Sequence, residues 1–139
     1  MRVLVDTNVV LDLLLARQPF VGAAAQVFGL VEHSRVEGLL CATTVTTIHY
    51  LLTQNVPGAT ARHALRNLLE LFEIAPVNRA VLEEALKSKV TDYEDAVIDQ
   101  AGRLAGAELV VTRNQRDFRL ASLKVLGPDE LLASLPEPE

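Results

Sequence analysis

The sequence predicts an α/β fold, a three-layer sandwich in which a mostly parallel sheet of five strands is flanked by helices. Short apolar runs alternate along the chain with longer segments whose apolar residues recur at helical spacing. Such alternation is typical of a parallel sheet with right-handed crossovers. Half of the residues are hydrophobic but only 4% are aromatic, which indicates a core of Ala, Leu and Val. The 139 residues are expected to form a single domain over residues 1–135, with a frayed tail at 136–139.

Five apolar runs bounded by polar residues, glycine or proline are predicted to be strands. The first run begins almost at the N-terminus and leads straight into a helix, as strands inside parallel sheets do. The later runs each stand between two helical segments. In chain order the predicted strands are Val3–Val5, Leu39–Ala42, Ile74–Val77, Leu109–Thr112 and Lys124–Leu126.

Seven helices are predicted where apolar residues recur three and four positions apart. Proline and glycine separate the segments: Pro19 divides the first two helices, Pro57-Gly58 divides the third from the fourth, and Gly127-Pro128 precedes the last. In chain order the predicted helices are Asn8–Leu15, Val21–Arg35, Thr44–Gln54, Ala59–Phe72, Arg79–Ser88, Asp92–Ala105 and Asp129–Leu135.

The third and fourth predicted helices carry more apolar residues than one buried face requires. Val45, Ile48 and Leu51 lie on the third, and Leu65 and Leu69 lie on the fourth. Apolar residues on two sides of a helical hairpin indicate an interface, so a homodimer is expected. The alternative is deep burial of both helices against the sheet.

The net charge of -5 and the pI near 5.2 argue against a protein that holds nucleic acid through a general phosphate clamp. Any RNA binding must therefore be local. Basic residues cluster at Arg113, Arg116, Arg119 and Lys124, where they form either a phosphate-contacting rim or a solvated loop. An acidic chain also suits a basic protein partner.

Composition also bounds the compartment. The one cysteine, Cys41, allows no internal disulfide, which favours a reducing environment. The N-terminus has no signal-peptide pattern, and no apolar run is long enough to cross a membrane. A cytoplasmic location without membrane association is expected.

Asp6 stands at the end of the first predicted strand and is followed by Thr7 and Asn8. Ligands bind outside the carboxyl ends of parallel strands, so this position favours a functional carboxylate. The alternative is that Asp6 and Asn8 only cap the helix that follows, because their side chains accept hydrogen bonds from its free N–H groups.

A second acidic cluster lies at the start of the helix predicted from Asp92. Asp92, Asp95 and Asp99 are three and four residues apart and share one helical face, where like charges repel and a cation would relieve them. The alternative is a capping box between Thr91 and Glu94, with acids in the first turn suiting the helix dipole. Asp95 lies one turn inside the helix, where this alternative explains it least.

Three motifs together resemble the PIN domain family: DTNVVLD after the first strand, DYEDAVIDQA at a helix start, and VVTRNQRDF at a strand end. The resemblance covers nearly the whole chain. It implies a nuclease, most often acting on RNA, that needs Mg²⁺ or Mn²⁺. It also implies that the chain is similar to the VapC toxins, which pair with an antitoxin protein, and that dimerisation uses helices such as the third and fourth.

The resemblance implies roles for individual residues. Asp6 and Asp95 are the first and third acids of the metal site, and Asp117 or Asn114 holds the fourth position. The remaining roles fall into two groups. The supporting or substitute ligands are Asn8, Asp92, Glu94, Thr112 and Asn114, and the phosphate-contacting residues are Arg113 and Arg116.

One departure from the family concerns the second acid, usually a Glu on the helix after the second strand. Residues 39–55 contain no carboxylate, and the resemblance places His49 near the expected Glu, with Thr46 and Thr47 beside it. An imidazole could ligate a metal or protonate a leaving oxygen, or be a buried packing residue. One well-held ion at most is expected in the free protein, with Asp92 or Glu94 as the substitute ligand.

Two other functions remain open from the sequence. A degenerate PIN domain would bind RNA or a protein without cutting. A haloacid-dehalogenase-like phosphatase also begins with an apolar strand and an aspartate, but its motif needs a second Asp where this chain has Asn8.

Overall fold

The computed structural model describes residues 1–136, which form five strands and seven helices. Three of the four residues that were expected to fray, 137–139, lie outside this range. The strands are β1 (Arg2–Val5), β2 (Glu37–Cys41), β3 (Glu73–Ala75), β4 (Leu109–Val111) and β5 (Lys124–Leu126). The helices are α1 (Thr7–Leu14), α2 (Val21–Glu32), α3 (Ala42–Thr53), α4 (Gly58–Leu71), α5 (Arg79–Lys87), α6 (Tyr93–Leu104) and α7 (Pro128–Ser134).

The five strands form one sheet in the order β3-β2-β1-β4-β5, and all neighbouring strands are parallel. The predicted α/β sandwich is therefore confirmed. The chain leaves β1 toward β2 on one side and later returns to β4 on the other, so the strand order reverses beside β1. A crevice at the carboxyl ends of the strands is expected at such a point.

Side chains of the buried strands alternate between two hydrophobic clusters, one on each face of the sheet. Val3 and Val5 of β1 face the cluster that contains α1, α2 and the α3–α4 hairpin. Leu4 faces the other cluster, which packs against α5 and α6. The central strand is thus covered on both faces, as its continuous apolar run predicts.

The predicted bounds differ from the observed ones by three residues or fewer. The largest difference is at the end of α2, which stops at Glu32 where Arg35 was predicted, because Ser34 adopts a left-handed conformation with φ of 57°. No helix in the described range is both long and apolar enough to span a membrane.

Helix α6 packs unusually close to β1. At Gly102, a Cβ atom would lie 2.7 Å from Cδ2 of Leu4 and 3.0 Å from Cδ1 of Leu123. Leu4 is fully buried and has little room to move away. Only glycine therefore permits this close approach of the helix that carries Asp95 to the strand that precedes Asp6.

Asp99 does not belong to the acidic face on which the sequence placed it. Its carboxylate is fully buried and accepts hydrogen bonds from the backbone N–H groups of Ser122 at 2.8 Å and Leu123 at 3.0 Å. These bonds fasten the loop between β4 and β5 to α6. The repulsion expected between Asp95 and Asp99 is avoided because Asp99 points into this loop.

Candidate active site

Asp6 is the N-cap of α1 and also lines a cleft at the end of β1. Its side chain is 5% exposed, and its Oδ1 accepts a hydrogen bond from the Thr7 N–H at 2.8 Å. Burial raises the pKa of Asp6, the bonds from Thr112 and Thr7 act against this rise, and nearby negative charges add to it. The capping and the functional interpretations of Asp6 are thus compatible.

The hydroxyl of Thr112, just beyond β4, connects the polar residues around Asp6. It donates a hydrogen bond to Oδ2 of Asp6 at 2.7 Å and accepts one from the Asn114 N–H at 3.0 Å. Nδ2 of Asn8 donates to the same hydroxyl at 3.3 Å, while Oδ1 of Asn8 accepts from the Arg113 N–H at 3.3 Å. This network holds the Asp6 carboxylate in one orientation.

Asp95 lies in the first turn of α6 and is half-buried. Burial, followed by the negative charges of Asp6, Asp92, Asp117 and Glu94, raises the pKa of Asp95 to about 7. Such a shift marks a carboxylate whose charge lacks a partner, which is common at functional sites.

The N-cap of α6 is Asp92, and the capping box expected between Thr91 and Glu94 was assigned to the wrong residue. Oδ1 of Asp92 accepts a hydrogen bond from the Asp95 N–H at 3.0 Å, and the helix begins at Tyr93. One carboxylate oxygen of Asp92 is therefore used to cap the N-terminus of α6. Glu94 is exposed and lines the same cleft as Asp6.

We call this cleft of about 340 Å³ the acidic cleft. It lies between the start of α1 and the start of α6, where the strand order predicts a crevice. Its polar lining includes four acids, two amides and one base: Asp6, Asp92, Glu94, Asp95, Asn8, Asn114 and Arg17. Asp6 and Asp95 are the two carboxylates in it that burial most affects.

A second groove of about 490 Å³ adjoins the acidic cleft and shares Asp92 and Asp95 with it. Asp117 lines this groove and is exposed, and its charge raises the pKa of both Asp6 and Asp95. The three acids that the sequence singled out thus surround the first turn of α6, with Asp95 between the other two.

Arg113, which the family resemblance places among the phosphate-contacting residues, is paired with Asp12 in the structure. Its Nη2 donates to Oδ1 of Asp12 at 3.0 Å, its Nε donates to Oδ2, and its guanidinium lies 3.8 Å from the centre of the Phe20 ring. Asp12 is 1% exposed. Arg113 therefore pairs with a buried carboxylate that the sequence did not single out. An acid between the apolar residues Leu11 and Leu13 was the available signal.

Arg17 is a further residue that the sequence did not identify. It is the base in the lining of the acidic cleft, and its side chain is 40% exposed. Its Nη1 lies 3.8 Å from Oδ1 of Asp12, which is already paired with Arg113. Ala16, with φ of 49°, turns the chain just before Arg17.

His49 lies on α3, away from the face that meets the cleft. Thr44 contacts Thr7 and Leu51 lines the acidic cleft, so these residues mark the face of α3 nearest the site. At 3.6 residues per turn, His49 points about 160° away from Leu51, whereas Thr47 lies on the same side as Thr44 and Leu51. Thr47, unlike His49, therefore shares the face of α3 that carries Thr44 and Leu51.

Within residues 1–136, no three His, Cys, Asp or Glu side chains form a ready-made metal site. The oxygen donors of the acidic cleft still fit a hard cation. Mg²⁺ keeps several waters and uses one or two protein carboxylates, which Asp6 and Asp95 supply. The raised pKa of Asp95 is consistent with this fit, because the excess negative charge there would be relieved by a cation.

The PIN domain family matches residues 2–116. The chain belongs to this family. A curated relative, Ribonuclease VapC1 of Aquifex aeolicus (strain VF5), is 22% identical over 134 residues, covering 93% of this chain and 92% of the relative.

Solved structures share the PIN fold of this chain. A chain of VapBC2 from Rickettsia felis, crystallised on a DNA fragment from the promoter, has a TM-score of 0.72 at 12% identity, with 91% of this chain and 98% of that chain covered. A toxin-antitoxin complex from Klebsiella pneumoniae has a TM-score of 0.69 at 22% identity, with 91% and 97% covered.

Proposed function

We propose that this PIN domain is a divalent-metal-dependent endoribonuclease and the toxin of a type II toxin–antitoxin pair. The observation that carries the proposal is the convergence of Asp6 and Asp95 on one cleft at the reversal of strand order. The likeness to a VapC ribonuclease and to toxin–antitoxin structures supports the substrate class and the biological role.

Asp6 and Asp95 are proposed to hold Mg²⁺ or Mn²⁺, with Asp117 completing the site across the first turn of α6. When bound, the ion supplies charge stabilisation on the phosphoryl oxygens and activation of water for phosphodiester hydrolysis. Thr112 keeps the Asp6 carboxylate oriented, and Asn8 and Asn114 orient ligands or waters at the cleft wall.

The test is cleavage of a labelled single-stranded RNA by the purified protein with Mg²⁺ or Mn²⁺. Asp6→Asn and Asp95→Asn should each lower the rate by at least about 100-fold, because each removes an anionic ligand while keeping its size. Asp129→Asn is the matched control, since Asp129 is exposed on α7 and lines neither the acidic cleft nor the groove that adjoins it. RNA cleavage that survives in Asp6→Asn, or that proceeds in excess EDTA, would contradict the proposal.

A second candidate is a PIN domain that binds RNA or protein without cutting, favoured by the lack of a carboxylate on α3. Metal binding separates the two. In the nuclease, millimolar Mn²⁺ should raise the melting temperature relative to a monovalent-salt control, and Asp6→Asn should abolish the rise. A melting temperature that Mn²⁺ leaves unchanged in both wild type and Asp6→Asn would favour the binding module.

The partners form part of the proposal. A basic antitoxin segment suits the net charge of -5, and a homodimer through α3 and α4 is supported by the exposed side chains of Tyr50 (63%) and Leu69 (51%). Light scattering of wild type against Tyr50→Asp tests the dimer, which should dissociate in the variant. A cytoplasmic location follows if RNA is the substrate.

A further inference from the structure

The groove that adjoins the acidic cleft has basic residues on its walls. Lys89 comes from the loop between α5 and α6, and Arg116 and Arg119 come from the loop between β4 and β5. We call it the basic groove. Because it shares Asp92 and Asp95 with the acidic cleft, an anionic chain bound along it would lead directly to the proposed reaction centre.

The three basic side chains are exposed and, within residues 1–136, form no ion pair with an acid. Nearby bases behave differently, since Lys87 and Arg103 both pair with Glu84. Asp92, Asp95 and Asp117 line the same groove, but within residues 1–136 none of them is paired with these bases, which stay available to bind an anion. The groove therefore presents positive charge that the protein itself does not use.

The loop that carries two of these bases is firmly held. Phe118, between them, is 1% exposed, and the Arg119 N–H donates to the Arg116 carbonyl oxygen. Further along the same loop, Asp99 accepts hydrogen bonds from the backbone N–H groups of residues 122 and 123. Arg116 and Arg119 thus project from a fixed loop, which lowers the entropic cost of binding a ligand.

The size and lining of the groove define the ligand. A volume of about 490 Å³ suits one or two nucleotide units. Among the residues that the structure describes, its apolar lining is Val90 and Leu120, with no aromatic ring on which a base could stack. Recognition would therefore be by backbone phosphates rather than by bases.

We propose that the basic groove holds the phosphates of a single-stranded RNA on one side of the cleavage point, through Lys89, Arg116 and Arg119. The substrate is then an RNA strand several nucleotides long, not a dinucleotide. This inference rests on the proposed function, because the acidic cleft must hold the scissile phosphate.

The test measures binding of a labelled 12-nucleotide single-stranded RNA to the Asp6→Asn protein at several salt concentrations. Each phosphate contact on a single strand contributes about 0.7 to the slope of log affinity against log salt. Adding Lys89→Gln, Arg116→Gln and Arg119→Gln should therefore lower the magnitude of the slope by about 2 and weaken binding at least 10-fold at low salt. In the Asp6 wild-type background, the same triple change should remove the preference for the 12-mer over a dinucleotide in cleavage.

The matched control replaces Arg35, Arg62 and Arg79 with Gln, an equal change in net charge at exposed positions that do not line the groove. It should leave the slope within about 0.5 of the parent. An unchanged slope in the groove variant would overturn the inference and leave the groove to another ligand, such as an acidic protein segment. If wild type cleaves no RNA, the proposed function fails, whereas the binding slopes still decide the inference.

Discussion

Arg113 and Asp12 are 101 residues apart in the chain, yet they form a two-bonded ion pair that joins α1 to the segment after β4. Asp6 precedes α1, and Thr112 precedes Arg113. The pair therefore fixes the spacing between the two segments that supply the Asp6 network.

Asp12→Asn should destabilise the fold by about 2–4 kcal/mol. Removing one partner of a buried ion pair leaves an uncompensated charge, and the cost is below the full value because Arg113 is 25% exposed. Urea unfolding measures the change. Glu32→Gln, at an exposed position, should stay within about 0.5 kcal/mol of wild type. A loss for Asp12→Asn as small as that of the control would show that the pair contributes nothing to stability.

Thr112→Val should weaken both the fold and the site. The change keeps the shape of the side chain but removes the donor to Oδ2 of Asp6, a hydrogen bond to a carboxylate that is worth about 1.5–3 kcal/mol. The pKa of Asp6 should rise further, so Mn²⁺ binding and RNA cleavage should fall. Thr112→Ser keeps the hydroxyl and should restore most of both, and equal losses in Val and Ser would contradict a role for the hydroxyl.

Stability of the metal-free protein should fall as the pH rises from about 4 to about 7. The pKa of Asp95 is about 7 in the folded protein against 3.8 for the ordinary side chain, so the folded state keeps a proton that the unfolded state has lost. In EDTA, the melting temperature of wild type should drop on the order of 5 °C between pH 5 and pH 8.

Asp95→Asn is the control for this pH dependence, since it cannot titrate and should show a smaller drop over the same interval. The pKa of Asp6 is also raised, so Asp6 lowers the stability in the same direction as the pH rises. It accounts for part of the drop in melting temperature that Asp95→Asn still shows. Identical pH profiles for wild type and Asp95→Asn would contradict the shift at Asp95.

Thr47→Glu should strengthen Mn²⁺ binding, and His49→Glu should not. A carboxylate at Thr47 lies on the face of α3 that carries Leu51, a residue of the acidic cleft, and adds an anionic oxygen that hard cations favour. Calorimetric titration of both variants with Mn²⁺ compares them directly. Tighter Mn²⁺ binding in His49→Glu alone would support the prediction that His49 lies near the position of the family's second acid. It would mean that the wrong face of α3 has been assigned to the cleft.

Much of the fold was predictable because it depends on local periodicity. The strand runs and helical repeats each sit within a few residues of the observed elements. The end of α2 was not predictable, because the left-handed conformation of Ser34 leaves no mark in the apolar pattern. The strand order could be predicted only in part, because the crossover rules fix the handedness of each connection but not which strands become neighbours.

The site was predictable where a carboxylate follows a strand or opens a helix, as Asp6 and Asp95 do. Asp12, Asp99 and Arg113 were missed or misassigned because their partners lie 23 or more residues away in the sequence. The face on which His49 lies was not predictable for a different reason. A shift of two residues along a helix turns a side chain to the opposite face.

Gly102 lies about two helical turns beyond Asp95, on the face of α6 that touches Leu4 of β1. A single added methyl group there would push apart the two elements that end in the proposed ligands, without altering any residue of the cleft. Two PIN domains with the same acids could therefore differ in catalytic competence through one distant contact. In this fold, the residue that sets the distance between α6 and β1 is a different one from the acidic residues that would bind the metal, so the two can vary independently.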